Sequence, residues 1–450
     1  MKDKNYVVYS AVVAALGGLL FGFDTAVISG TTEQLAEVFD LSSFWLGFTV
    51  AGALIGTIIG AVAVGKPADR YGRRTILFVL AIFYFVSAVG TALAWDWYSF
   101  LFFRLLGGLG VGGASVVSPM YIAEISPARF RGRLVAVTQF NIVFGILLAF
   151  FSNYLIAGLH LGEIEWRWMF GVEAFPAALF FFLLFRTPHS PRWLVARGSV
   201  REAKNVLEKC GTDSGNVEEE IDAIQKSLDL EHHSLAEPFF TRKYSKPILL
   251  AIAIAMFNQL SGINALMYYA PHIFKMAGAA AESALLQTVA VGGTNLILTM
   301  AALVVIDHIG RKKLMLIGSV GYIISLSATA WAFYTYGTQF TALGSMIVLI
   351  SLLLFIASHA FGQGAVIWVF LSEIFPNRVR ARGQALGSFT HWIMAALISW
   401  TFPMIAEISG GNTFAFYALC MVGQLVWVII IMPETKGISL EQIQRELGID

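Results

Sequence analysis

A chain of 450 residues with 57% hydrophobic and only 13% charged side chains, and a mean hydropathy of +0.71, lies far from soluble domains, in which roughly a quarter of residues are charged. A formal net charge of +1 offers no electrostatic reason for a nucleic-acid partner. The only two cysteines exclude a disulfide scaffold, because Cys210 falls in a hydrophilic stretch and Cys420 in an apolar one.

Twelve apolar stretches follow in chain order, near 6–30, 45–65, 75–95, 98–122, 134–158, 168–187, 246–272, 284–306, 313–336, 341–371, 383–406 and 411–432. Each is long enough to cross a hydrocarbon core of about 30 Å at about 1.5 Å per residue. In lipid such spans must be helices, since every backbone polar group needs an internal partner. The pattern predicts an all-α membrane protein. It has an N-terminal six-helix bundle over 1–187, a hydrophilic linker over 188–245, a second bundle over 246–432 and a tail over 433–450. Met1-Lys2-Asp3-Lys4 before an apolar run imitates a signal peptide, but no small-residue cleavage site follows, so the run is read as the first span. Of the 30 Lys and Arg, only Arg167 and Lys275 fall in loops on one side and Arg104 lies within a span. All the others share the opposite side, which the positive-inside rule makes cytoplasmic, with both termini. In the linker, Ala203, Val206, Leu207 and Cys210 share one helical face, as do Val217, Ile221, Ile224 and Leu228. Ser439-Leu440-Glu441-Gln442-Ile443 reads as the start of a further helix with Ser439 as N-cap. These short amphipathic helices are covers and linkers, or a latch on the cytoplasmic side.

Two charged signatures each occur twice. The first is Gly65-Lys66-Pro67-Ala68-Asp69-Arg70-Tyr71-Gly72-Arg73-Arg74, matched by Asp307-His308-Ile309-Gly310-Arg311-Lys312-Lys313. The second is Glu124-Ile125-Ser126-Pro127-Ala128-Arg129-Phe130-Arg131, matched by Glu373-Ile374-Phe375-Pro376-Asn377-Arg378-Val379-Arg380. A duplicated membrane protein with matched charged loops is the expected build of a carrier whose halves rock about a central site. Gly108-Leu109-Gly110-Val111-Gly112-Gly113 matches a dinucleotide fingerprint, but it lies inside a span with no strand before it and is rejected. Gly52, Gly56 and Gly60 form a small-residue ridge suited to close packing inside one bundle rather than to dimerisation. No P-loop, metal-site spacing or nucleophile–base pair appears, so neither ATP, a cofactor, a metal nor enzymatic chemistry is expected.

The doubled Asp-x-x-Gly-Arg signature, Pro188-His189-Ser190-Pro191-Arg192-Trp193 and Pro433-Glu434-Thr435-Lys436-Gly437 resemble the sugar porter branch of the major facilitator superfamily. Gly17-Gly18-Leu19-Leu20-Phe21-Gly22-Phe23-Asp24-Thr25-Ala26-Val27-Ile28-Ser29-Gly30 and Gln259-x-x-Gly262-Ile263-Asn264 are especially similar to bacterial proton–xylose symporters. The resemblance runs from about Gly17 to Gln444. It implies two pseudo-symmetric six-helix bundles, a central monosaccharide site and alternating access.

Asp24 and Arg104 stand out physically, because an ionisable group inside a span costs at least about 2.5–3.5 kcal/mol. Counted from the two membrane faces, Asp24 lies roughly 27 Å in and Arg104 about 9 Å below the opposite surface. In a membrane of about 30 Å these depths nearly coincide, so the two can pair. A proton competing with Arg104 for the Asp24 carboxylate is a switch; the alternative is a permanent ion pair that fixes helix packing. In the symporters that this sequence resembles, the matching carboxylate carries the proton, whereas facilitative glucose carriers typically have an uncharged residue there.

A sugar site needs amides, which donate and accept hydrogen bonds at once, and aromatic rings to stack on. The resemblance implies Gln139, Asn258, Gln259, Asn264, Asn295, Trp368 and Trp392 for that role, and Tyr268 and Tyr269 for an outer gate. This chain departs from the family at Asn258, where a second Gln is usual, and at Gln363-Gly364-Ala365, where the family reads Gly-Pro ahead of Trp368. Without the proline a stiffer tenth span is expected. His391 replaces an amide and is expected to bind sugar or to titrate, or else to be a packing histidine. His189 stands where the family motif has Glu and is expected to weaken one cytoplasmic contact. At the inner helix ends Asp69, Arg73, Glu124, Arg131, Asp307, Arg311, Glu373 and Arg380 form a candidate gate, in which the arginines pair with Glu124 and Glu373. Each exposed pair is worth at most about 1 kcal/mol, so the network matters rather than one bond.

The sequence thus predicts a monomeric proton–monosaccharide symporter for a pentose or hexose. A sugar or polyol uniporter is the first alternative. A membrane sugar sensor is the second, disfavoured by a short C-terminal tail.

Overall fold

Apolar side chains and self-satisfied backbone bonds make long helices the outcome along almost the whole chain. The computed structural model describes residues 4–211, 216–234, 238–376, 378–438 and 440–449, and among them no strand occurs. Twelve of its helices are long and apolar enough to cross a membrane. They are Asn5–Gly30, Ser43–Ala63, Arg73–Ala92, Trp97–Ile125, Phe130–Ala157 and Gly162–Leu184, then Arg242–Met276, Ala281–Ile309, Arg311–Tyr336, Ala342–Glu373, Arg380–Ile408 and Gly410–Ile430. Below they are called the first to the twelfth span. Their ends lie within a few residues of the hydropathy reading, except that the sixth starts earlier, through a 3-10 turn at Gly162–Ile164.

Three spans are interrupted within their length, each beside polar residues. The sixth is broken between Glu165–Gly171 and Ala174–Leu184, with Glu173 at the break. The seventh is broken between Ser245–Leu260 and Ile263–Met276. Gly262 makes that break at φ +85°, and a β-carbon there would also meet the Tyr417 ring at 2.8 Å, so both conformation and space demand glycine. The tenth span contains a π-helical turn, Ala360–Gly364, between Ala342–His359 and Ala365–Glu373. The stiff span expected from the missing proline is therefore not formed. Gly362 packs directly on Gly318, with a β-carbon at Gly318 only 2.9 Å from the Gly362 Cα, and the π-turn departs from the helix without a proline.

The chain divides into two compact units. The first holds residues up to Val27, Gly52–Ala149 and Trp166–Ala236; the second holds Ile28–Ala51, Phe150–Glu165 and Glu237 onwards. In the first unit the glycine ridge does what its spacing suggested. β-Carbons at Gly56 and Gly60 would fall 2.3 and 2.4 Å from the carbonyls of Leu105 and Leu109, and at Gly108 and Gly112 1.9 and 2.1 Å from those of Ala53 and Thr57. The rejected dinucleotide fingerprint is thus the other half of a helix-crossing seam. The linker helices Val200–Cys210 and Val217–Ser234 close a small core around Leu194, Val195, Ala203, Leu207 and Ile221, on the faces that periodicity assigned.

In the second unit the segment after the first span is tied down by charge. Glu33 accepts from Lys275 at 2.5 Å and lies 3.5 Å from a ring nitrogen of His272. The His272 bond, then Lys275, pull the Glu33 carboxyl down to about 2 against the opposing effect of burial. Helix Leu440–Leu447 docks Ile443 and Leu447 into the same unit's core, while the expected N-cap Ser439 lies outside the described residues.

Candidate functional site

The first unit contains a buried ion pair. Asp24 on the first span and Arg104 on the fourth are each 1% exposed. Arg104 Nη1 donates to Asp24 Oδ1 at 2.7 Å, and Nη2 donates to the Asp24 backbone carbonyl at 3.1 Å. A bare backbone at Gly107 leaves room for the carboxylate, since a β-carbon there would lie 3.1 Å from Oδ1. The Arg104 guanidinium also sits over the Phe170 ring at 5.3 Å. A third charged group was missed by the sequence reading. Glu173, 2% exposed at the break in the sixth span, lies within electrostatic range of both partners. Asp24 Oδ2, Arg104 Nε and Glu173 Oε1 are buried without hydrogen-bond partners among the described residues. The signal that singled out Asp24, a carboxylate inside an apolar stretch, was equally present for Glu173.

The second unit gathers most of the expected amides into one relay. Asn264 Nδ2 donates to Gln259 Oε1 at 2.8 Å, Gln259 Nε2 to Asn258 Oδ1 at 3.0 Å, and Asn258 Nδ2 to Gln363 Oε1 at 3.4 Å. Gln363 Nε2 donates in turn to Gln424 Oε1, and Gln424 Nε2 to Ser319 Oγ at 2.8 Å. The donors all run one way, an arrangement in which each bond polarises the next. Asn258, Gln259, Gln363, Gln424 and Ser319 are almost fully buried. The break at Gly262 makes this possible: it sets Asn264 at the start of one half-helix, facing Gln259 near the end of the other.

Gln259 Nε2 also lies 3.3 and 3.2 Å from the two ring nitrogens of His391. Trp368, 40% exposed, meets the same ring at 5.2 Å, and Trp392 meets it edge-on at 4.9 Å. Asn295 is not brought into the relay; its Oδ1 accepts from Thr299 of its own helix at 3.2 Å. Gln139 lies half-buried on the fifth span, in the first unit. Tyr269 is buried, donates to the Ser399 carbonyl at 2.9 Å and packs its ring at a tilt against Phe402 at 5.0 Å; Tyr268 is buried beside it. The sequence reading did not find Gln424 or Ser319, because a polar residue in a span does not announce a partner more than a hundred positions away.

The doubled signatures build the same charged cluster twice. Arg73 contacts Asp69 at 2.9 Å and Glu124 at 3.0 Å, and Ser190 Oγ donates to Glu124 Oε2 at 2.5 Å. Arg311 contacts Asp307 at 3.1 Å and grips Glu373 with two bonds of 3.1 and 2.8 Å, and Thr435 Oγ1 donates to Glu373 Oε2 at 2.6 Å. Arg131 and Arg380 depart from the expected pairing with these glutamates. Arg131 Nε donates to the Ala123 carbonyl at 3.0 Å and Arg380 Nε to the Phe375 carbonyl at 3.4 Å, because both stand at helix ends where free carbonyls are nearer.

The twins differ at one position. Glu434 accepts from the backbone N–H groups of Arg311, Lys312, Thr435 and Lys436 at 2.9 to 3.1 Å, capping the ninth span. Burial pushes its carboxyl up, but those four donors together hold it below the ordinary range. Where Glu434 stands in the second unit, the first has His189, stacked on Trp193 at 5.4 Å with Nε2 3.4 Å from Arg74 Nη1. Burial, then the Arg74 charge, push the imidazole below its usual value.

A helical bundle with a buried acid–base pair, an amide relay and twin charged clusters defines a membrane carrier. The chain matches the family described as sugar (and other) transporter over residues 10–447. It is 38% identical to the D-xylose-proton symporter of Escherichia coli (strain K12), covering 98% of this chain and 96% of that protein. It is 35% identical to the arabinose-proton symporter of Bacillus subtilis (strain 168), covering 98% and 95%. The solved inward-open structure of the xylose transporter XylE from E. coli superposes with a TM-score of 0.86 at 38% identity, covering 98% of this chain and all of that one. The chain belongs to the sugar transporter family, and it is a multi-pass membrane protein of major facilitator fold.

Proposed function

We propose that the chain imports a monosaccharide, a pentose or hexose, by proton symport across the inner membrane, with Asp24 as the proton-carrying group. One observation carries this reading: two carboxyls and one guanidinium, Asp24, Glu173 and Arg104, lie buried within electrostatic range of one another in the first unit. With both acids ionised the site would hold an uncompensated buried charge, which is expensive. One bound proton removes that charge. Because Arg104 holds the Asp24 carboxylate directly, loading the proton weakens that grip and frees the first and fourth spans to rearrange.

The printed names of the E. coli and B. subtilis relatives, both proton symporters of pentoses, support sugar as cargo and proton as driver. Gln139, Asn258, Gln259, Asn264, Asn295, Trp368, His391 and Trp392 would hold the sugar, and Tyr268 and Tyr269 would close the outer side. The twin clusters at Asp69, Arg73, Glu124 and at Asp307, Arg311, Glu373 would close the inner side, with Arg131 and Arg380 fastening the adjoining helix ends. The halves 1–187 and 246–432, joined by 188–245 and followed by the tail from 433, would alternate access as a monomer. The excess of basic residues on one side supports both termini being cytoplasmic. Transport, with no reaction on the sugar and no cofactor, is the whole activity.

Uptake of labelled sugars into proteoliposomes, with and without an inward proton gradient, tests this for wild type and Asp24→Asn. Gradient-dependent accumulation that vanishes in the variant while exchange survives is the expected result. Equal uptake by both proteins regardless of gradient would leave a facilitator and sink the coupling.

A further inference from the structure

His359 closes the helix that precedes the π-turn of the tenth span, and nothing above uses it. Its Nδ1 lies 2.6 Å from the hydroxyl of Tyr322 on the ninth span. Tyr322 is fully buried, and its ring is fixed against Phe355 at 5.1 Å. The histidine ring itself is half-buried. In a π-turn the residue five positions along comes into register, rather than the fourth. Here that residue is Gly364, where a β-carbon would stand 3.1 Å from the His359 carbonyl and 3.3 Å from Nε2. The missing side chain leaves Nε2 uncovered, and among the described residues Nε2 has no hydrogen-bond partner. The surroundings are those of the amide relay. Gln363, which bonds Asn258, belongs to the same π-turn, and His391 lies within electrostatic range of the His359 ring.

We propose that His359 is a specificity-determining residue of the sugar site, donating from Nε2–H to one hydroxyl oxygen of the sugar, and that Tyr322 is its positioning residue. This rests on the sugar-transport reading above. A phenol is a better donor than acceptor, so the Tyr322 O–H donates to Nδ1 and the remaining ring proton sits on Nε2. The tautomer and the ring plane are thereby set before the sugar arrives. A donor held this way discriminates sharply, because a substrate lacking the matching acceptor leaves a desolvated N–H unpaired.

The test is sugar exchange in proteoliposomes for wild type, His359→Phe, His359→Gln and Tyr322→Phe, using the best exchanged sugar and its set of monodeoxy analogues. His359→Phe keeps the bulk and is expected to raise KM for the parent sugar about 2- to 10-fold, the worth of one neutral hydrogen bond. Its kcat stays within about two-fold, since the bond is made to ground state and transition state alike. One monodeoxy analogue, lacking the contacted hydroxyl, should lose this preference and bind His359→Phe at least as tightly as wild type, because only the wild type is left with an unpaired N–H. His359→Gln, which retains a donor, should recover most of the affinity, and Tyr322→Phe should fall between. A KM unchanged in His359→Phe, or raised by the same factor for every analogue, overturns the assignment. Should His359→Phe fail to fold, His359→Leu takes its place, and a KM unchanged there, or raised by the same factor for every analogue, overturns the assignment as well. A wild type that exchanges no sugar overturns the transport reading itself, a result visible before any variant is compared.

Discussion

Arg104 holds Asp24 twice, once through the carboxylate at 2.7 Å and once through the residue's own backbone carbonyl at 3.1 Å. The second bond does not depend on the charge of the side chain. Asp24→Asn keeps both acceptors and leaves Glu173 as counter-charge to Arg104, so it should be less destabilised than Arg104→Ala, which leaves the buried carboxyls without a cation and should lose about 3–5 kcal/mol. Thermal unfolding in detergent checks the ranking, and an Asp24→Asn variant less stable than Arg104→Ala would contradict it.

Gln363 joins the two ends of the amide relay. Gln363→Leu leaves Asn258 Nδ2 and Gln424 Oε1 buried without partners, which should cost about 1–3 kcal/mol of stability. Sugar affinity should fall with it, since Asn258 and Gln259 lose their fixed orientation. Replacing Gln363 and Gln424 together by apolar residues should cost less than the sum of the single changes, and additivity in that cycle would show that the relay is not one unit.

The twin clusters are unequal. Arg311 places Nε and Nη2 on the two separate oxygens of Glu373, whereas Arg73 brings Nε and Nη2 to Glu124 Oε1 alone; each arginine also pairs with the aspartate four residues before it. Bidentate, charge-assisted pairs are the strong ones. Arg311→Ala should thus destabilise by about 1–3 kcal/mol, and by more than Arg73→Ala. Unfolding midpoints measured side by side decide this, and the reverse order would refute it.

His189 gives the first unit a pH dependence just below neutrality, whereas Glu434 gives the second one only below the ordinary carboxylate range. With its folded value below the usual 6.5, its contribution to stability is fully present above that pH and is lost as pH falls below it. An imidazolium there would face Arg74 and stack on Trp193. Between pH 7 and 5 the wild type should lose more thermal stability than His189→Gln. His189→Glu should raise stability at pH 7 by supplying Arg74 with a carboxylate, and identical pH profiles for wild type and His189→Gln would remove the histidine from the account.

The glycine seam of the first unit is not uniform. A β-carbon at Gly108 would lie 1.9 Å from the Ala53 carbonyl, whereas at Gly52 the nearest atom is a Leu101 methyl at 3.5 Å. Gly108→Ala should cost at least about 1–3 kcal/mol through forced separation of the second and fourth spans, while Gly52→Ala should be nearly neutral. Equal yields and midpoints for both would contradict the seam.

The sequence by itself determined the twelve spans, the faces of the linker helices, the doubled charged signatures and the Asp24–Arg104 pair. Each of these is a local property or a count of depth: hydropathy over a window, a 3.6-residue period, a repeated motif, residues times rise. The resemblance to sugar porters named Asn258, Gln259 and Asn264 and marked His391 as a departure, and burial cost adds that amides and imidazoles inside hydrocarbon need partners wherever they point. Tertiary structure alone decided the partners. It linked Gln259 to His391 across 132 positions and Gln363 to Gln424 across 61, left Asn295 with Thr299 of its own helix, and buried Glu173 within electrostatic range of Asp24. It also replaced an expected stiff tenth span with a π-turn seated on Gly318. The reason is physical: burial cost is written in a residue's type, but the bond that offsets it depends on how helices cross, and that is set by contacts between residues far apart in the chain.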